Sequence, residues 1–322
     1  MRYVLSTALA SLISLTTLTP SFADSPLICV TQIVAHPALD KTQRGIIDEL
    51  AAQGFQDPDT ATIQIDIAQG QPALATQIAQ KCVGQKASII VALGTSMAQA
   101  CTKATVEEKI PVVFSSVTDP EGAKLVKDLK TPEGNITGAS NFTPLEDQLS
   151  LFLELVPNLK TLGVVLNPGE ANSLEIYKRL EKIADEKGVT LLQGAAFKSS
   201  DVGQAAKSLV GKVDALFVSN DNTALSAFEA IVSVSQQYKV PLFVSDADIV
   251  EKGALAALGP DQYVLGRQTG AMVARLLKGA PVSANPVEYP KNKELILNQK
   301  AANFLGITIS QELLKKATKV IK

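Results

Sequence analysis

The chain has 322 residues, enough for two domains of ordinary size. With 46% hydrophobic and 19% charged residues it can bury two cores, and a net charge of −2 provides no basic stripe of the kind that binds nucleic acid. One histidine and three cysteines without zinc spacing argue against a metal site, and no cofactor is expected.

The N-terminus reads as an export signal. Arg2 supplies a positive start, Val4 to Leu18 an apolar stretch, and Pro20 breaks it. Ser21-Phe22-Ala23 then places small residues at −3 and −1, so residues 1–23 are expected to be cleaved before Asp24. The apolar run is shorter than the about 20 residues a membrane span needs. Cys29 follows Pro26-Leu27-Ile28 and lacks the small residue that precedes a lipidated cysteine, so a lipoprotein is not expected. Export permits disulfides, and the sequence admits a Cys82–Cys101 bridge, with one cysteine left over.

From Leu27 the chain alternates apolar runs with amphipathic stretches, the pattern of βαβ units in a parallel sheet. Strands are expected at Leu27–Val34, Ala61–Ala68, Ala87–Leu93 and Val112–Ser116. The helices between them are Thr42–Gln53, closed by Gly54, and Ala73–Val83, opened by Pro72, with a third beginning near Thr95. Ile136–Asn141 reads as a strand leading to a crossing. Thr143-Pro144-Leu145-Glu146 offers a capping box for a helix running to Val156. The series then restarts: strand Leu162–Leu166, helix Asn172–Lys187 closed by Gly188, strand Val189–Phe197, and a helix from Val202 capped by Asp201. Lys109-Ile110-Pro111 before one strand recurs as Lys239-Val240-Pro241, 130 residues later, before another. Gly253–Leu258 is a further short strand, Gly266–Lys278 a helix, and Pro286–Leu297 and a helix Gln311–Lys319 complete the chain. The duplication predicts two α/β lobes of Rossmann type: residues 24–141 with 261–284, and 142–260 with 285–322.

Open parallel sheets bind ligands beyond the carboxyl ends of their strands. The candidates there are Gln32 and His36; Gly94, Thr95 and Ser96; Ser116, Val117 and Thr118; Asn167, Asn172 and Ser173; Asp221 and Asn222; and Asp246. Thr95 and Ser96 stand at a helix start that either caps itself or receives an anion. Asp221, flanked by Asn220 and Asn222, reads either as a helix cap or as the partner of a ligand ammonium. His36 either covers the cleft or bonds to Asp40, and Glu170 reads as a solvated loop acid. No G-x-G-x-x-G, Walker A loop or G-x-S-x-G elbow is present.

At these loops the chain resembles the ABC-transporter substrate-binding proteins of the tryptophan/tyrosine-type group. The matching stretches are Val34-Ala35-His36-Pro37-Ala38-Leu39-Asp40, Pro111-Val112-Val113-Phe114 with Val117-Thr118-Asp119-Pro120, Asn167-Pro168-Gly169-Glu170-Ala171-Asn172-Ser173, Asp221-Asn222-Thr223 and Leu265-Gly266-Arg267-Gln268-Thr269-Gly270. The resemblance implies a type I periplasmic-binding-protein fold: two lobes joined by three crossings and closing over one ligand. It also implies a monomer in the periplasm that serves a membrane permease. The implied ligand is an aromatic amino acid, its carboxylate at Thr95/Ser96 and its ammonium near Asp221. Thr95-Ser96-Met97 departs from the Thr-Pro-Ser or Thr-Pro-Ala common in the family. A ligand sensor for a membrane receptor, and an exported enzyme on the same scaffold, are the other readings of the sequence.

Overall fold

The computed structural model describes residues 25–322, so the export signal lies outside the described residues. The first lobe contains β1 (Leu27–Gln32), α1 (Pro37–Ala52), β2 (Thr62–Ile67), α2 (Pro72–Gly84), β3 (Ile89–Leu93), α3 (Thr95–Ala104), β4 (Val112–Ser115) and β5 (Ile136–Gly138). Its five strands run parallel in the order β2-β1-β3-β4-β5. The second lobe holds α4 (Leu145–Leu155), β6 (Thr161–Leu166), α5 (Ala171–Glu186), β7 (Thr190–Ala195), α6 (Val202–Leu209), β8 (Ala215–Val218), α7 (Asn222–Ser226), α8 (Phe228–Tyr238), β9 (Leu242–Val244) and β10 (Ala256–Pro260). Helix α9 (Gln262–Leu277) follows, then β11 (Lys293–Asn298), α10 (Gln299–Leu305), α11 (Gln311–Lys316) and β12 (Lys319–Ile321). The second sheet runs β12-β11-β10-β9-β8-β6-β7, and only the β10–β11 pair is antiparallel.

The order β2-β1-β3-β4 in one sheet recurs as β7-β6-β8-β9 in the other, so the sequence duplication is a duplication of topology. Central strands β3, β4, β8 and β9 are buried throughout, because helices cover both faces of a parallel sheet and select continuous apolar runs. The two-lobed α/β architecture expected from the repeat is present.

Helix α9 returns to the first lobe. Met272, Val273 and Ala274 join its core, and the helix lies directly against α1. Gly266 makes that approach possible: a Cβ there would stand 2.2 Å from the Thr42 carbonyl oxygen. Val287 also packs in the first core, and Glu288 pairs with Ala139 beside β5. The last return to the second lobe therefore follows Glu288.

Several local expectations need correction. Helix α1 begins at Pro37, not Thr42, because proline at the first helical position presets φ and gives up only an N–H the helix does not use. Likewise α9 begins at Gln262, not Gly266, since the Asp261 carboxylate caps it by accepting from the N–H groups of Tyr263 (3.0 Å) and Val264 (3.1 Å). Thr143 is not a cap; Pro144 occupies that position and makes no side-chain bond. The Asp201 side chain does not cap α6 either, which is entered through a 3-10 turn, Ser199–Asp201. β10 starts at Ala256, since Gly253 ends a 3-10 turn (Ala247–Lys252), and the chain closes in β12, which the expected final helix overran. No Cys82–Cys101 bridge forms: all three cysteines are buried free thiols. Cys101 faces Thr31 of β1 (3.7 Å), whereas Cys82 neighbours Cys29.

Candidate functional site

The carboxyl ends of the two sheets face one another across a cleft, and contacts between the lobes close it. His36 Nε2 lies 3.3 Å from Asn222 Oδ1, Lys41 pairs with Asp248, and Arg179 pairs with Asp119. Toward the hinge, His36, Leu39, Ser116, Asn141, Asn220, Asn222, Leu225, Asp246 and Gln262 enclose a pocket that their own side chains nearly fill. Ligand access therefore requires the lobes to part.

Each wall of this pocket follows from local structure. His36 precedes Pro37 in extended conformation (φ −161°) and is directed into the cleft as α1 begins. Ser116 follows β4 with φ 55°, a left-handed conformation that costs a non-glycine residue about 1–3 kcal/mol and is concentrated at functional sites. Asn141 stands on the first crossing and accepts from the Thr118 hydroxyl (3.3 Å), which leaves its Nδ2 as a donor. Gln262 accepts from Thr42 through Oε1 (3.1 Å), leaving Nε2 in the same state. Leu39 and Leu225 supply apolar surface.

The two candidate aspartates differ in kind. Asp246 accepts only the Asp248 N–H at 3.2 Å; its other oxygen, Oδ2, is buried without a partner. Burial, reinforced by the charge of Asp248, pushes its carboxyl up to about 7. Asp221 is saturated: it receives the Asn167 N–H (2.6 Å), the Ser173 hydroxyl (2.6 Å) and the Ala224 N–H (2.7 Å). Burial and the charge of Glu170 push it to about 7 as well, against the pull of those donors. It caps α7 and ties β6, α5 and β8 together. Asp246, not Asp221, presents a free carboxylate oxygen to the pocket.

The remaining candidates divide by position. Ser96 and Asn167 line an outer groove of about 510 Å³ between the lobes, beside Phe197, and Asn222 borders both this groove and the inner pocket. Gly94 has φ 90° at the start of α3, and Thr95 is buried with its hydroxyl unpartnered; neither lines the inner pocket. Gln32 is structural, donating to Asp40 (2.8 Å) and to the Val34 carbonyl (2.8 Å). Val117 lies wholly in the core, and Thr118 holds the crossing through Asn141 and Ser140. Asn172 donates to the Asn220 carbonyl (2.7 Å), and Ser173 serves Asp221. Glu170, expected to be solvated, is buried under five donors. Gln262 and Leu39 were missed because both α9 and α1 start earlier than their apolar periodicity suggests; Asp261 and Pro37 were the available signals. Among the described residues no group of three or more His, Cys, Asp or Glu could hold a metal ion.

Residues 27–321 match the family described as ABC transporter substrate binding protein. The chain belongs to this family. It is 35% identical over 280 residues to a tyrosine-binding protein of Clostridioides difficile (strain R20291), covering 87% of this chain and 81% of that protein. Among solved structures, a Streptococcus pneumonia ABC domain in complex with L-Trp superposes with a TM-score of 0.88 at 36% identity, covering 92% of this chain and all of the other. A ligand-free, open substrate-binding protein with adhesive properties from Clostridium difficile reaches 0.68 at 33% identity, covering 92% of this chain and 99% of the other. Identity barely differs between the two, while the superposition is closer on the tryptophan-bound structure than on the open one.

Proposed function

We propose that this protein is an exported, monomeric receptor that binds an aromatic amino acid between its lobes and delivers it to an ABC permease. The observation that carries the reading is the inner pocket's pairing of opposite polarities. Asp246 Oδ2 is a buried, unpartnered acceptor for an ammonium, while Asn141 Nδ2, Gln262 Nε2 and the Ser116 hydroxyl are donors for a carboxylate. The leucine walls suit an apolar body, and the tyrosine-binding relative and the tryptophan-bound neighbour point to an aromatic one. In this reading the ammonium pairs with Asp246 in preference to Asp221, and the carboxylate lies nearer the hinge than Thr95/Ser96. Binding energy realised only when both lobes touch the ligand drives closure.

The chain contains no tryptophan, so the change in L-tryptophan fluorescence on binding is read without a contribution from protein tryptophan. Titration with L-tryptophan, beside a thermal-shift panel of all twenty amino acids, tests the proposal. Saturable spectral change and a rise in Tm with tryptophan, tyrosine or phenylalanine are expected. A panel in which no aromatic amino acid raises Tm overturns it.

A further inference from the structure

Glu170 and the chain's sole histidine are connected through Asn222 by a series of hydrogen bonds whose polarity can be deduced link by link. Both oxygens of Glu170 accept from backbone N–H groups, which can only donate: Oε1 from Thr223 (2.9 Å) and Oε2 from Asn222 (3.1 Å). The Asn222 side-chain atom 2.6 Å from Oε2 must then be its NH2 group. That fixes the other end of the amide, the atom facing His36 at 3.3 Å, as the carbonyl oxygen. A carbonyl oxygen needs a donor, so His36 carries its proton on Nε2. Nδ1 is left with a lone pair, and it is buried without a partner.

We propose that Glu170 is a positioning residue that sets the polarity of the ligand pocket: acting through Asn222, it holds His36 as the Nε2–H tautomer and makes Nδ1 an acceptor for an N–H or O–H donor on the ligand. A pocket offering both Asp246 Oδ2 and His36 Nδ1 as acceptors selects ligands with two donor groups, an ammonium and a phenol or indole, over aliphatic amino acids. The inference rests on the amino-acid reading above for the identity of the donor, but the relay itself concerns only this chain.

The sole histidine makes the test unambiguous, because the imidazole nitrogen spectrum of 15N-histidine-labelled protein contains one residue. Spectra are recorded for the protein alone and with saturating L-tyrosine. The loaded wild type should show the Nε2–H tautomer, with Nδ1 shifted relative to the unloaded protein. Glu170→Gln is made with Thr223→Val, which removes the hydroxyl that could accept from a new NH2 group at the Oε1 position; the NH2 group then faces Asn222, so the Asn222 amide turns over and the tautomer moves toward Nδ1–H. Tyrosine affinity should fall about tenfold, as expected for one buried hydrogen bond lost. Adding N222D to E170Q/T223V restores an acceptor facing Nε2 and should restore the Nε2–H signal. An E170Q/T223V protein that keeps the tautomer of T223V overturns the relay even if its affinity drops, since a merely structural role would leave the imidazole unmoved. An Nδ1 resonance unchanged by bound tyrosine overturns the ligand contact. If tyrosine changes neither the spectrum nor Tm, the amino-acid reading falls, and the relay is judged on the unloaded protein: a tautomer difference between T223V and E170Q/T223V supports it and identical spectra refute it.

Discussion

Asp221 and Asp246 are one residue type at equivalent strand ends, and their surroundings give them opposite tasks. Replacing Asp221 with asparagine puts an NH2 group against either the Asn167 or the Ala224 N–H, so D221N should lose about 1–3 kcal/mol in urea unfolding. Asp246→Asn should behave in the reverse way. The folded protein holds the Asp246 proton up to about 7, against 3.8 for an ordinary aspartate, so it binds that proton more tightly than the unfolded chain does. This carboxyl therefore opposes folding above pH 7, and its penalty is relieved as pH falls toward 4. D246N should raise the Tm of the unliganded protein at pH 8, where the charged form would otherwise be buried, and should lower amino-acid affinity about 10–100-fold by removing the ammonium's partner. Wild-type affinity should hold above pH 7 and decline below it, because an ammonium binds the charged carboxyl; calorimetry at pH 6 and pH 8 reads this directly. A D246N protein with unchanged affinity would remove Asp246 from the site.

Helices α1 and α9 carry pocket residues at their starts, His36 and Gln262, and they meet through glycine. A Cβ on Gly266 would stand 2.2 Å from the Thr42 carbonyl and one on Gly45 2.3 Å from the Tyr263 carbonyl, both backbone atoms that cannot rotate aside. Gly266→Ala should thus force the helices apart, cost about 1–3 kcal/mol of stability and weaken ligand binding without touching the pocket. Gly203→Ala, in α6, where the added carbon would sit 3.4 Å from the Ala230 methyl group, is the control, expected to change Tm little and affinity not at all. Much at this scale was legible in the sequence: the repeated strand–helix units mark the sheets, because helices on both faces demand continuous apolar strands. Which aspartate is free was not legible. The donors that saturate Asp221 come from Asn167 and Ser173, 54 and 48 residues away, and only folding brings them together. Glu170 was misread for the same reason, since its donors lie about the start of α7.

Two ion pairs join the lobes on separate contacts, Lys41–Asp248 and Arg179–Asp119, with the Arg179 guanidinium also 5.5 Å from the Phe142 ring centroid on the first crossing. Both pairs break when the lobes part, but only Arg179–Asp119 touches nothing in the inner pocket, since Asp248 also donates its N–H to Asp246. A ligand shifts the open–closed balance only by its differential affinity for the two states, so contacts that favour closure by themselves raise the affinity of every ligand by a common factor. The lysine and the arginine are each about two-fifths exposed, which limits an ion pair to about 0–1 kcal/mol, or up to about fivefold in affinity. Arg179→Gln should therefore weaken tryptophan and tyrosine binding by the same modest factor, increase the radius of gyration of the unliganded protein in small-angle scattering, and lose its effect in high salt, where wild type is screened as well. Lys81→Gln, which breaks a 2.9 Å pair with Asp66 inside the first lobe, should change neither quantity. Unequal losses for the two ligands would mean that Arg179 reaches into the pocket, and an unchanged radius would mean that the hinge alone holds the lobes closed.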